Sequence, residues 1–374
     1  MRWLFWSAAF LIAYTYAGYA VCLWLRARVS PWPIRRSPQQ PCVSVVVIVR
    51  NEEQRLESKM RNLLELDYPP ERCQIVAVSD GSTDRTNAIL RQYANDPRVQ
   101  VLMNQWSRGK ASGLNDAIHL ATGEVIVLTD ARQKIEPGAI RLLMENFADP
   151  EVGCVSGALM LGDPESGEAG KGMGLYWRIE KKIRDLESES GSVVGATGAL
   201  YAVRRELLSD VPEGTILDDV YIPMQVARQG KRVVFDDRAR AWDSPDLGSG
   251  LEFARKVRTL SGNYQLVQLA PWILSGRNPL LARFVSHKLL RLAVPFALAA
   301  MLAASLWLKA PLYRVALGLQ LAFYGLGLVA LARVPKAGMI GRAADAAATF
   351  MLLNTAALVA FANFVAGRKT AWSR

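Results

Sequence analysis

VSVVVIV, residues 43–49, is an almost continuous apolar run dominated by β-branched side chains. Branching at Cβ suits an extended backbone, and the absence of polar alternation predicts a strand buried on both faces, as in a parallel sheet. Working outward, helical patterning over residues 51–66 stops before Pro69-Pro70. QIVAVS (74–79) is a second strand-like run. Asp80-Gly81-Ser82-Thr83-Asp84 then forms a turn, with Ser82 or Thr83 placed to cap a helix beginning near Asp84. Runs at 99–103, 125–129 and 152–158 continue the strands, and helical patterns at 110–121 and 137–147 lie between them. Strand–helix alternation of this kind predicts an α/β doubly wound sheet.

The chain has 374 residues, is 51% hydrophobic and 21% charged, and carries a net charge of +11. That composition excludes a disordered polyelectrolyte, a collagen-like fibre and a small disulfide scaffold. The positive excess is not in the polar middle: residues 37–276 hold 28 basic against 33 acidic side chains. The bases flank apolar segments instead, which points to a lipid bilayer and away from nucleic acid.

Trp3 to Leu25 contains no charged side chain and is long enough to cross a hydrocarbon core. One base, Arg2, precedes it, whereas Arg26, Arg28, Arg35 and Arg36 follow. A cleaved signal peptide would have its bases first, so the pattern predicts a retained anchor over residues 1–28. The positive-inside rule then puts the polar middle in the cytoplasm. Three further apolar stretches, 292–308, 315–332 and 347–365, predict a membrane region over 291–374. Arg283, Lys288 and Arg291, and later Arg333, Lys336 and Arg342, mark the cytoplasmic side. Four crossings would leave Arg368, Lys369 and Arg374 outside, against the same rule. Residues 266–290, with Pro271 and Trp272, read as an interfacial segment. The expected setting is a multi-pass protein of the cell membrane (inner or plasma). Cys42, Cys73 and Cys154 lack metal-ligand spacing and are expected as free thiols. His119 and His287 are the only histidines, which argues against a Ser-His-Asp hydrolase or a histidine-rich metal centre.

Ligands of doubly wound sheets bind at the carboxyl ends of the strands. Asp80 closes one strand run and Asp130 another, so both are expected at one edge, where acids attract a divalent cation or accept from ribose and base. Either alone could be a turn former or helix cap. Asp218-Asp219 opens a helical stretch, where an acid pair is stabilised by the helix dipole or serves as a general base. Arg108-Gly109-Lys110 starts another helix and could hold phosphate, although no Walker loop is present. The small residues of Gly195-Ala196-Thr197-Gly198-Ala199 permit close backbone approach to a ligand. Arg258 could neutralise a diphosphate or form a snorkelling face beside a membrane.

Taken in order, VVVIVRNEE (45–53), VAVSDGSTD (76–84), RGKASGLN (108–115), VIVLTDAR (125–132), GATGALYAVRR (195–205), ILDDV (216–220) and RKVRTLSGNYQ (255–265) resemble the membrane-bound family 2 glycosyltransferases, the inverting GT-A enzymes related to cellulose, hyaluronan and poly-N-acetylglucosamine synthases. The resemblance implies a cytoplasmic GT-A domain over residues 40–265 that binds a UDP-sugar. It implies that Glu52 and Asp80 contact the uridine and that Lys110 sits near the nucleotide. Asp130 matches the first acid of the family's DxD and would hold Mg2+ or Mn2+ on the diphosphate. Asp219, paired with Asp218, matches the catalytic base. Gly198 lies in the wall of the donor sugar or acceptor, and Arg258 matches the arginine of QxxRW. Three departures stand out: Arg132 replaces the second DxD acid, Asp218 replaces a glutamate, and Gln and Trp are missing around Arg258. The implied activity is inverting sugar transfer from a UDP-sugar to a lipid-linked or glycan acceptor at the cytoplasmic face, with room for a partner subunit or a homo-oligomer. Two rivals are a nucleotidyltransferase and a catalytically silent subunit that supports polysaccharide assembly or export.

Overall fold

A computed structural model describes residues 1–162, 175–243, 249–332 and 338–368. Arg333, Lys336, Lys369 and Arg374, used above to orient the membrane segments, lie outside the described residues. The chain divides into two units. One comprises 23–246 with 266–281, and the other 1–22, 247–265 and 282–370.

The first unit is built on one mixed sheet of eight strands: β1 (Val43–Val49), β2 (Cys73–Asp80), β3 (Val99–Asn104), β4 (Val125–Thr129), β5 (Lys134–Ile135), β6 (Val152–Leu161), β7 (Tyr201–Arg204) and β8 (Arg232–Asp243). Their spatial order is β3-β2-β1-β4-β7-β6-β8-β5. The VSVVVIV run is buried along its whole length, as its lack of alternation predicts. β1 pairs in parallel with β2 and β4, and β2 with β3, so Val49, Asp80, Asn104 and Thr129 finish at the same edge. β7 runs antiparallel to β4, with Tyr201 opposite Leu128. The residues that lead into β7, including Gly198, therefore arrive at that same edge. Helices Leu56–Leu64, Ala139–Asn146 and others bury their apolar faces against the sheet, with Leu56, Met60, Leu143 and Met144 inaccessible to solvent.

Two local readings change. The helix expected from Asn51 begins at Leu56, because Asn51 takes a left-handed backbone (φ 54°) and its carboxamide oxygen accepts from the Thr83 N–H. Ser82 and Thr83 do not cap the next helix. The helix Thr86–Tyr93 has Arg85 at its N-cap, and Asp84 just before it accepts from the Thr86 N–H at 2.9 Å.

Among the described residues, four helices are long and apolar enough to cross a membrane, and they lie mostly in the second unit: Arg2–Val29 and Leu281–Trp307, then Pro311–Leu331 and Gly341–Val365. Apolar helices gain little hydrophobic drive from packing in lipid, so small residues and hydrogen bonds join them. Tyr14 Oη and Ser286 Oγ lie 2.9 Å apart, and Asn354 Nδ2 donates to Tyr16 Oη at 3.3 Å. Phe5, Ala304 and Tyr313 form a separate apolar cluster.

Gly123, just before β4, tests how tightly the sheet edge is built. A Cβ there would lie 2.5 Å from the Ser44 nitrogen and 2.6 Å from the Val43 carbonyl carbon, both backbone atoms that cannot rotate away. Gly123→Ala should cost about 1–3 kcal/mol of stability. Thermal unfolding should show the lowered midpoint.

Candidate active site

Lys110 is the first residue of the helix Lys110–Leu120, and its ammonium reaches across the sheet edge. Nζ lies 2.9 Å from Asp130 Oδ1 and 3.2 Å from Asp218 Oδ2. Burial disfavours the ammonium charge, but Asp130, Asp218 and Asp219 outweigh it and hold the Lys110 pKa well above the ordinary lysine value. Asp130 follows β4. Asp218 and Asp219 form the first turn of the helix Asp218–Arg228, where the dipole favours negative charge. Gly198 closes the cluster: a Cβ added there would sit 3.2 Å from Asp130 Oδ2 and 3.7 Å from Asp219 Oδ2. Both carboxylates therefore border the space above one glycine, and any side chain at 198 would fill it. The two adjacent acids differ in setting. The Asp218 side chain is buried and bonded to Lys110, whereas Asp219 is half-buried beside Gly198.

Asp80 sits at the same edge but is already fully engaged. Its Oδ2 accepts from Ser107 Oγ at 2.6 Å and the Gly109 N–H at 2.9 Å, and its Oδ1 from the Arg108 N–H at 2.8 Å. The buried carboxylate thus shapes the Ser107–Gly109 loop that delivers Lys110. Glu52 lies on the loop after β1, with Arg55 3.7 Å away. Burial lifts its pKa above the ordinary carboxylate value, against the pull of Arg55. The structure brings Lys110, Asp130, Gly198, Asp218 and Asp219 together. Arg258 lies on the helix Ser249–Leu269, in the unit that holds the membrane helices.

Sequence patterns did not single out two buried side chains near these acids, Lys59 and Tyr201. Lys59 is fully buried, and its Nζ donates to Thr129 Oγ1 and to the Gln133 carbonyl, each at 2.8 Å. Thr129 Oγ1 in turn donates to the Ala199 carbonyl at 2.8 Å. One lysine thereby ties both sides of the turn carrying Asp130, and Thr129 links that turn to the Gly198 segment. Burial pushes the Lys59 pKa down to about 7, against the pull of Asp130. Tyr201 is buried beside Lys110, Gly198 and Asp218. Burial and then Asp218 push its phenol well above the ordinary value. Arg132, at the position of the second acid, is ion-paired to the buried Asp243, which also accepts from Gln133 Nε2 at 3.2 Å. That explains how a cation is tolerated two residues from Asp130: it has its own counterion. A lysine on a helix face reads as solvated in sequence, and only the fold turns Lys59 inward.

Among the described residues no group of three or more His, Cys, Asp or Glu side chains is disposed to hold a metal ion. Asp130, whose side chain is 40% accessible, offers one carboxylate, with Asp219 across Gly198. This donor set fits a hard cation that takes its remaining oxygens from diphosphate and water. A groove of about 660 Å3 is lined by Arg72, Cys73 and Arg98 at the opposite ends of the strands and contains none of these acids.

Residues 44–211 match the family described as Glycosyl transferase family 2. The poly-beta-1,6-N-acetyl-D-glucosamine synthase of Staphylococcus epidermidis is 24% identical over 236 residues, 62% of this chain and 56% of the relative. That of Staphylococcus aureus (strain COL) is 24% identical over 235 residues, 60% and 55% of the two chains. The chain spans about half the length of these curated relatives. A solved mannosyltransferase, PcManGT from Pyrobaculum calidifontis in complex with GDP-Man and Mn2+, is 26% identical with a TM-score of 0.74, covering 96% of this chain and 98% of that one.

Lys59 makes stability depend on pH. Its native pKa lies below the ordinary 10.5, so between about 7 and 10.5 the unfolded chain binds more protons than the native one. Stability contributed at this site therefore rises with pH through that window and is lowest below it, where the buried ammonium must stay charged. Lys59→Met removes the titration. The wild-type thermal midpoint should climb relative to the variant as pH rises above about 7, and parallel profiles would refute the assignment.

Proposed function

We propose that this chain, whose residues 44–211 match the family 2 glycosyltransferases on a mixed α/β GT-A fold, is a glycosyltransferase that transfers a sugar from a UDP-sugar, with inversion, to a lipid-linked or glycan acceptor at the cytoplasmic face of a membrane. The observation that carries this reading is the convergence of Asp130 and Asp219 on Gly198, with Lys110 bonded to Asp130 and Asp218. The staphylococcal relatives support glycan synthesis, and the mannosyltransferase complex supports a nucleotide-sugar donor and a divalent cation. One chain with a donor-binding domain and four candidate spans suits an acceptor that itself resides in the bilayer.

In this reading Asp219 is the base. It accepts the proton of the acceptor hydroxyl as that oxygen bonds to the anomeric carbon. The bond from that carbon to the diphosphate breaks on the opposite face, and UDP departs. Asp218 stays with Lys110 and fixes the turn from which Asp219 projects. Lys110 lies where it can also donate to the departing diphosphate. Asp130 would hold Mg2+ or Mn2+, which would supply further neutralising charge beside the diphosphate. Gly198 leaves room for the reacting sugar between the acids. Glu52 completes the donor site toward the nucleoside. Asp80 acts from beneath, through the loop it grips.

A positioned general base is worth about 10²–10⁴-fold in rate. Asp219→Asn should lose transfer by about that factor while binding UDP nearly as well as the wild type. Sugar transfer and UDP affinity measured on the same preparation decide it. Near wild-type transfer would remove Asp219 from the role, and loss of UDP binding would make it a donor ligand instead.

A further inference from the structure

Between Val43 and Asp243, the described residues expose only two large apolar side chains, Trp106 at 68% and Ile179 at 44%. A single exposed apolar residue ordinarily needs no explanation. Trp106 is different because the backbone beneath it is fixed. Asp80 holds the next three residues through Ser107 Oγ and the Arg108 and Gly109 N–H groups. The loop also lies directly on Gly81: a Cβ there would meet the Ser107 nitrogen at 2.3 Å and the Trp106 carbonyl carbon at 2.5 Å. Three hydrogen bonds and a glycine kept bare thus hold a large aromatic ring in solvent at the carboxyl ends of β2 and β3. Among the described residues the ring stacks on no other aromatic and lies under no cation.

Lys110, which contacts Asp130, lies four residues along the same loop, a stretch of chain that reaches at most about 14 Å. The backbone positions of Trp106 and Lys110 are therefore separated by no more than the scale of one nucleotide. Asp80 is fully buried beneath this loop and already accepts three hydrogen bonds from it, so it offers a base no accessible face. Recognition of the base then falls to another group at these strand ends. An aromatic face stacks on any nucleobase, and with the backbone beneath it held, only the side-chain torsions of Trp106 are left to be ordered on binding.

We propose that Trp106 is the stacking platform for the nucleobase of the donor, so that it sets donor affinity through the base and not through the diphosphate; this rests on the glycosyltransferase reading above. Stacking tolerates both uracil and guanine, so Trp106 fixes the place of the base, and neighbouring polar groups choose its identity.

Calorimetric binding of UDP, GDP and inorganic pyrophosphate to the full chain in detergent, with Mg2+ present, tests this on the wild type, Trp106→Ala and Trp106→Phe. Trp106→Ala should weaken whichever nucleotide the wild type binds by roughly ten-fold or more and leave pyrophosphate unchanged. Trp106→Phe should keep most of the nucleotide affinity. Unchanged nucleotide affinity in Trp106→Ala would overturn the inference. An equal loss of pyrophosphate would overturn it too, because the loop, not the ring, would then be responsible. A wild type that binds neither UDP nor GDP would overturn the glycosyltransferase reading, and the inference with it.

Discussion

Asp130, Asp218 and Asp219 are gathered at one edge of the sheet, and like charges held together out of water repel strongly. Lys110 makes the gathering stable by bonding to Asp130 and Asp218 at once. Everything that places Lys110 is therefore part of the site. Asp80 grips the loop ahead of it, and Gly81 lets that loop lie flat. The helix Lys110–Leu120 starts where that loop ends. Removing the ammonium would leave carboxylates facing one another in a partly buried pocket, a cost that falls on folding as well as on chemistry.

The same ion pair divides labour between two adjacent acids. Successive residues of a helix point about 100° apart, so Asp218 and Asp219 meet different surroundings. Asp218 takes the buried partner, and Asp219 is left toward Gly198 and the space above it. A carboxylate bordering an open space suits proton transfer, whereas one bonded inside the fold suits positioning. The antiparallel β7 matters equally, because its direction returns the chain to the edge where β4 ends and sets Gly198 against Asp130. Beneath them, Lys59 fastens the Asp130 turn from the core side through Thr129 and Gln133. A buried ammonium with only neutral acceptors is costly, and its effect here is to stiffen the segment bearing an exposed carboxylate.

Much of this was legible in residue order. VSVVVIV and QIVAVS announce strands buried on both faces, and the acids that close such runs must gather at one edge if the strands are parallel. The four apolar segments were equally plain, since length and lack of charge suffice to mark them. What the residues did not reveal depends on long-range pairing. β5 has only two residues and exists because Trp242 and Ala241 of β8 lie beside it. Lys59 meets Thr129 across 70 positions of sequence. Arg132 read as a defect in the acid motif until Asp243, at the end of β8, appeared as its counterion. Asp80 was recognisable as a strand-end acid, but nothing in its surroundings said that backbone N–H groups would occupy both its oxygens.

The central claim is that acids placed on either side of Gly198 act on one sugar by a single displacement. The anomeric configuration of the product tests this most directly. The purified full chain, supplied with Mg2+ or Mn2+ and a panel of isotopically labelled nucleotide sugars, should release nucleoside diphosphate. Nuclear magnetic resonance of the labelled linkage should show the anomeric configuration opposite to that of the donor. A product that retains the donor configuration, or release of pyrophosphate in place of nucleoside diphosphate, would contradict the account.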